Sequence, residues 1–110
     1  MAVKIESKND ITICRAEGEI DITSSPELKK TLDKLLAQKT PKIVIDLVKV
    51  TYVDSSGLAT LVGILKSVRS YGGKMRLAGL SPKIKSLFEI TKLDKLFEIA
   101  ASAEEAIAGF

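Results

Sequence analysis

The sequence predicts an α/β fold: a single domain built on a mostly parallel mixed sheet of four to five strands, with about four helices. Three observations carry this. Segments with strand and helix periodicity alternate in the order β-β-α-β-α-β-α-β-α, which calls for parallel strands joined by right-handed helical crossovers plus one antiparallel hairpin strand. The run Ile43-Val44-Ile45-Asp46-Leu47 is nearly continuous and rich in β-branched residues, the pattern of a central strand covered on both faces. The chain has 110 residues, 45% hydrophobic and 28% charged, enough for one core and too few for two.

Taken in order, Val3 to Ser7 and Ile11 to Ala16 are two short strands, and the polar Lys8-Asn9-Asp10 between them makes a hairpin turn. The segment Gly18-Glu19-Ile20-Asp21-Ile22-Thr23 is expected to leave the strand for a loop. Ser24-Ser25-Pro26-Glu27 supplies helix-start chemistry: a hydroxyl cap, a proline in the first turn and an early acid. Leu28, Leu32, Leu35 and Leu36 then share one helical face, and Pro41 stops that helix before the central strand. After Val50-Thr51-Tyr52-Val53 comes Asp54-Ser55-Ser56-Gly57, and a second helix begins at the serines. Its apolar positions Leu58, Leu61, Val62 and Leu65 are expected to face the sheet, with Thr60, Gly63, Ile64 and Ser67 nearer the outside. Gly72-Gly73 ends it, and Lys74 to Ala78 forms another strand. Leu80-Ser81-Pro82 opens a third helix with Ile84, Leu87 and Phe88 on its apolar face. A last strand near Leu96 to Ala100 precedes the capping-box pattern Ser102-Ala103-Glu104-Glu105 of a C-terminal helix.

Composition removes whole classes of function. There is no histidine, so no Ser-His or Cys-His pair, no imidazole metal ligand and no imidazole base. The one cysteine, Cys14, excludes zinc ribbons and CxxC redox motifs and reads as a small buried hydrophobe on a strand. No cofactor and no metal are expected. The net charge of +3 comes from 17 basic and 14 acidic residues that are interleaved, as in Lys29, Lys30 and Lys34 with Glu27 and Asp33. No basic run joins aromatics, and Tyr52, Tyr71, Phe88 and Phe97 are scattered and read as core or semi-buried residues, so no direct nucleic-acid partner is expected. The first residues carry no apolar signal segment, and no run approaches the roughly 18 apolar residues of a membrane span. The expectation is a cytoplasmic protein without a membrane partner. Nothing marks a large exposed apolar face, so a monomer is expected when the protein is free.

In an open α/β sheet, sites form at the carboxyl ends of strands, where loops enter helix N-termini. Two loops qualify: Asp54-Ser55-Ser56-Gly57 and Asp21-Ile22-Thr23-Ser24-Ser25, both expected at the same rim. Ser55 has two readings. A hydroxyl at a helix start satisfies orphan backbone N–H groups, worth about 0.5–2 kcal/mol; the same place is favourable for a phosphate, because the N–H groups and the helix dipole stabilise added negative charge. Gly57 relieves crowding where strand turns into helix and lets a partner's backbone approach. No phosphate-loop motif is present. Asp21 and Asp54 as an acid/base pair would lack a pocket, an aromatic platform and a histidine, so turn and capping roles suit them better.

With these residues in place, Gly18-Glu19-Ile20-Asp21, Ile43-Val44-Ile45-Asp46-Leu47 and Tyr52-Val53-Asp54-Ser55-Ser56-Gly57-Leu58 resemble the bacterial anti-sigma factor antagonists, the small STAS-domain proteins. The resemblance covers nearly the whole chain, continuing through Gly72-Gly73-Lys74, Leu80-Ser81-Pro82 and Leu93-Asp94-Lys95-Leu96-Phe97, and the Asp-Ser-Ser-Gly-Leu element is its most specific part. It implies a single STAS-like domain over residues 1–110. It also implies a binding switch rather than an enzyme: the unphosphorylated antagonist binds an anti-sigma factor serine kinase and so frees the sigma factor. Phosphorylation of the serine after the motif aspartate, Ser55 here, ends binding, and a PP2C-type phosphatase restores it. The implied partner-binding residues are Asp21, Thr23, Asp54, Ser55, Ser56 and Gly57. An alternative role for the same fold is a scaffold subunit of a signalling assembly or of a membrane transport system.

Overall fold

A computed structural model covers residues 1–110 and contains five strands and four helices. In chain order these are β1 (Ala2–Lys8), β2 (Ile11–Ile20), α1 (Ser25–Ala37), β3 (Lys42–Val53), α2 (Ser55–Ser70), β4 (Lys74–Ala78), α3 (Pro82–Ile90), β5 (Glu98–Ala100) and α4 (Ala103–Ala108). The strands lie side by side in sequence order, with β1 antiparallel to β2 and every later pair parallel. Because each parallel connection steps in the same direction across the sheet, right-handed crossovers put α1, α2 and α3 on one face. The main core lies there, between those helices and Cys14, Ile20, Ile43, Ile45, Leu47 and Leu77 of the sheet. A smaller cluster of Ile11, Ile13, Val44, Ala78 and Ala106 lies on the other face under α4. β3 is thus covered on both sides, as its apolar run requires, but only along its first half. Past α4 the exposed Val48 marks where that cover ends.

Several elements differ from the sequence expectation. β2 does not leave the sheet at Gly18: it continues to Ile20, which pairs with Val53, and accommodates irregularities between Arg15 and Glu17 and between Gly18 and Glu19. Gly18 sits at φ +104, a conformation open to glycine, so the strand bulges instead of ending. β3 is correspondingly longer than Ile43–Leu47, because Val48 to Val53 stay on the β2 ladder. In α2 the inner face is rotated: Ile64 is buried and Val62 only half-buried. The cause is α1, which packs alongside α2, so that Ile64 faces the crevice it shares with Leu36, Lys29 and Asp33. Gly63 has no neighbour within 4 Å of where a Cβ would stand, so it relieves no packing inside the domain. The last strand is shortened to Glu98–Ala100 by a 3-10 turn at Leu93–Lys95, entered through Lys92 at φ 60. Phe97 instead turns into the core, edge-on to Phe88 at 5.7 Å between ring centres.

Candidate functional site

Parallel pairing of β2 and β3 brings the two candidate loops together. Ile20, the last residue of β2, accepts a hydrogen bond on its carbonyl from the Asp54 N–H at 3.1 Å, so the second loop is fastened to the end of the first strand. Asp54 then caps α2. Its carboxylate accepts from the Gly57 N–H at 3.0 Å and from the Ser56 hydroxyl at 2.6 Å. These donors, the Ser56 hydroxyl first and then the Gly57 amide, hold the Asp54 carboxyl below the usual carboxylate range, and the Ile22 amide of the neighbouring loop adds to them.

The first loop is ordered in the same way by Asp21. Its carboxylate accepts from the Thr23 hydroxyl at 2.7 Å and from the Thr23 and Ser24 amides at 3.0 Å each. The Thr23 hydroxyl, followed by the Ser24 amide, keeps the Asp21 carboxyl low as well. The hydroxyl cap expected for α1 is therefore corrected. Ser24 occupies the cap position, but its hydroxyl turns back, donating to the Glu19 carbonyl at 2.5 Å and accepting from the Asp21 N–H at 2.9 Å. No side chain caps α1; the Asp21 carboxylate orders the turn that leads into it.

Ser55 is also corrected in one respect: it is the first helical residue, not the cap, because Asp54 holds that role. Its side chain is exposed, and its hydroxyl enters none of the hydrogen bonds that order the loop. A free hydroxyl thus stands at the positive end of a 16-residue helix. Gly57 is buried directly behind it, and a Cβ there would stand 2.6 Å from the Ile20 carbonyl oxygen and 2.9 Å from Val53 Cγ1. The crowding expected of Gly57 is real, and its source is the paired ends of β2 and β3, Ile20 and Val53. Of the sequence-selected residues, Asp21, Thr23, Asp54, Ser55, Ser56 and Gly57 all come to this one rim.

Sequence reasoning missed the apolar side of the rim. A groove of about 670 Å³ opens between the end of β3, the start of α2 and α3, with Ser55 and Asp54 on one wall and Tyr52, Leu58, Leu87 and Ile90 among its lining. Ile90 is 79% exposed and Tyr52 44%, while Ile22 in the adjoining loop is 75% exposed. Tyr52 is thus not a core aromatic. The signal available in the sequence was Ile90 itself, an isoleucine off the Ile84-Leu87-Phe88 face. Elsewhere, Cys14 is fully buried on β2, where loss of solvation pushes its thiol up to about 12. No group of three or more Cys, Asp or Glu side chains converges to hold a metal ion. Both rim carboxylates are engaged by local donors, which suits ordering a loop and not proton transfer.

The chain is similar to known proteins over nearly its whole length. The STAS domain family matches residues 2–106. The anti-sigma-B factor antagonist of Bacillus subtilis is 38% identical over 102 residues, 93% of this chain and 92% of that one. The anti-sigma-B factor antagonist of Listeria monocytogenes is 40% identical over 82 residues, 74% of this chain and 72% of that one. A crystallised Thermotoga maritima protein superposes with a TM-score of 0.92 at 29% identity, covering 97% of this chain and 92% of its own.

Proposed function

The chain belongs to the STAS domain family, and from that premise we propose that it is an anti-sigma factor antagonist acting in the cytoplasm. Its unphosphorylated form binds an anti-sigma factor that is itself a serine kinase, and binding releases the sigma factor. The kinase phosphorylates Ser55, which ends the complex, and a PP2C-type phosphatase regenerates the binding form. The chain is substrate and ligand in this cycle, with no catalytic residue of its own. The observation that carries the reading is the exposed, unbonded Ser55 hydroxyl at the N-terminus of α2, beside an Asp54 carboxylate and a Ser56 hydroxyl that are already engaged with each other.

Asp21, Thr23, Asp54 and Ser56 present the binding surface around it; Gly57, expected to let a partner approach, is buried and supports that surface from behind, and the groove beside Ser55 offers the kinase an apolar contact. The switch follows from charge. A phosphate adds about −1.5 to −2 charges at pH 7. In the free domain the helix N-terminus offsets part of the repulsion from Asp54, by about 0.3–1 kcal/mol. In a closed interface the same dianion has to be desolvated, which costs several kcal/mol, and about 1.4 kcal/mol is already tenfold in affinity.

The test is a pull-down from host lysate with wild-type protein and Ser55→Glu side by side, identified by mass spectrometry. Recovery of a serine kinase by wild type alone is the expected result. Capture of the same scaffold or transport proteins by both baits would overturn it.

A further inference from the structure

β1 is an open sheet edge along its whole length. The opposite edge, β5, has three residues, whereas β1 has seven, contains no proline and pairs with β2 without a break from Ala2 opposite Glu17 to Lys8 opposite Ile11. No strand pairs with its outer side. Natural edges are guarded by shortness, proline, bulges, charged side chains or a covering element. Here Lys4 and Glu6, neighbours on one face of the strand, carry opposite signs, and Ile5 on the other face is left 41% exposed.

The consequence is a matter of register. Two antiparallel β1 strands can meet about a two-fold axis at any one residue. Centred on Ile5, all seven residues pair: Lys4 faces Glu6 of the second copy twice over, and Ile5 covers its own mate. Centred on Lys4, the two Lys4 side chains oppose each other; centred on Glu6, Glu6 meets Glu6 and Lys4 meets Lys8. Centres at Val3 or Ser7 leave only three strand residues paired. Full overlap and opposite charge therefore coincide in one register.

We infer that β1 is a self-association surface, through which two copies of this chain pair antiparallel about Ile5 and join their five-stranded sheets into one. Main-chain hydrogen bonds supply the contact and the Lys4–Glu6 pairs select the register, so no large apolar face is needed. The axis stands perpendicular to the sheet. It keeps the helices of both copies on one side and points the two Ser55 rims to opposite ends, which leaves each rim open to its own partner.

Sedimentation equilibrium of the full chain from micromolar to millimolar concentration tests this. Wild-type protein is expected to rise from the monomer mass of 11.9 kDa toward twice that value, less so in high salt. Lys4→Glu and Glu6→Lys each turn two symmetric attractions into repulsions and should weaken the dimer by about tenfold. The Lys4→Glu/Glu6→Lys double variant should recover it. The exchange removes the 3.1 Å Arg15–Glu6 pair but puts the new acid at position 4, directly opposite Arg15, so Arg15 still has a carboxylate beside it. Circular dichroism checks that each variant is folded. A wild-type mass that stays at the monomer value, single variants that associate like wild type, or a double variant as weak as the singles would each overturn the inference.

Discussion

Gly57→Ala tests how the rim is held together. The new methyl would stand 2.6 Å from the Ile20 carbonyl oxygen, 2.8 Å from Ile20 Cγ2 and 2.9 Å from Val53 Cγ1. The carbonyl has nowhere to turn, because it is part of the β2 backbone and accepts the Asp54 N–H at 3.1 Å. The two loops must therefore part by several tenths of an ångström. Overpacking of this kind costs about 1–3 kcal/mol, weakening of the Asp54–Ile20 bond adds about 1 kcal/mol, and alanine's helical advantage over glycine returns about 1 kcal/mol. The net is a loss of about 1–3 kcal/mol, or a fall in melting temperature of roughly 5–15 °C for a domain near this size. Gly63→Ala is the internal control. It lies in the same helix, no atom stands within 4 Å of its Cβ position, and only the propensity gain applies, so it should melt a few degrees higher. Thermal melts followed by circular dichroism measure both. If Gly57→Ala melts at or above wild type, or if Gly63→Ala falls as far as Gly57→Ala, the two-loop clamp is wrong.

The remaining predictions concern charge and access. Asp21 and Asp54 titrate lower in the folded protein than in the unfolded chain, so their stabilisation is complete above the ordinary carboxylate range and lost as pH falls through their depressed folded values. Urea titrations should show this contribution unchanged from about pH 5 upward and a loss below about pH 4, with a flatter acid limb in Asp21→Asn/Asp54→Asn. Arg15→Ala strips the buried Asp46 carboxylate of its 2.6 Å partner, leaving the 3.1 Å bond from the Val48 N–H; the expected loss is about 2 kcal/mol by urea unfolding, part of it recovered when Asp46→Asn is added. Cys14, with its thiol pushed up to about 12 by burial, should resist a thiol reagent at neutral pH and react only as the protein unfolds. Phosphorylation of Ser55 should move amide resonances in the Asp21–Ser25 and Asp54–Leu58 segments and leave the core unmoved; widespread core shifts would show that the switch works by rearrangement.

The order of elements was legible because starts and stops have their own local chemistry. The side chains of Ser81 and Ser102 do accept from the Ile84 and Glu105 amides, and Gly72-Gly73 does close α2. What was not legible depends on neighbours far along the chain. Glu17-Gly18-Glu19 breaks the alternation of a strand, yet the backbone stays in the sheet because β3 supplies a ladder for it. Asp46 was hidden inside an apolar run, and its burial is tolerable because Arg15 reaches it from the adjacent strand and the Val48 N–H bonds its other oxygen. Which of three adjacent polar residues caps α2 was ambiguous by one position. The bond from the Asp54 N–H to Ile20 settles it, and that bond is tertiary. The groove at α3 needed the packing of Ile84 and Phe88 before Ile90 could be seen to face outward.

That one-residue difference between Asp54 and Ser55 bears on the proposed switch. Were Ser55 the cap, its hydroxyl would be committed to the helix, and modifying it would cost the free domain a structural hydrogen bond of about 1 kcal/mol. With Asp54 as the cap, the fold and the modifiable hydroxyl are separated, and adding charge to one does not dismantle the other. The separation works only if the loop is stiff. A mobile loop would swing a phosphate aside at little cost and leave the complex intact, whereas this one is tied to β2 through Ile20 and filled behind by the close approach of Gly57. Rigidity at the rim is therefore what lets a single added group translate into exclusion of a partner, and it is why the stability of the Gly57 variant and the sharpness of the Ser55 switch should decline together.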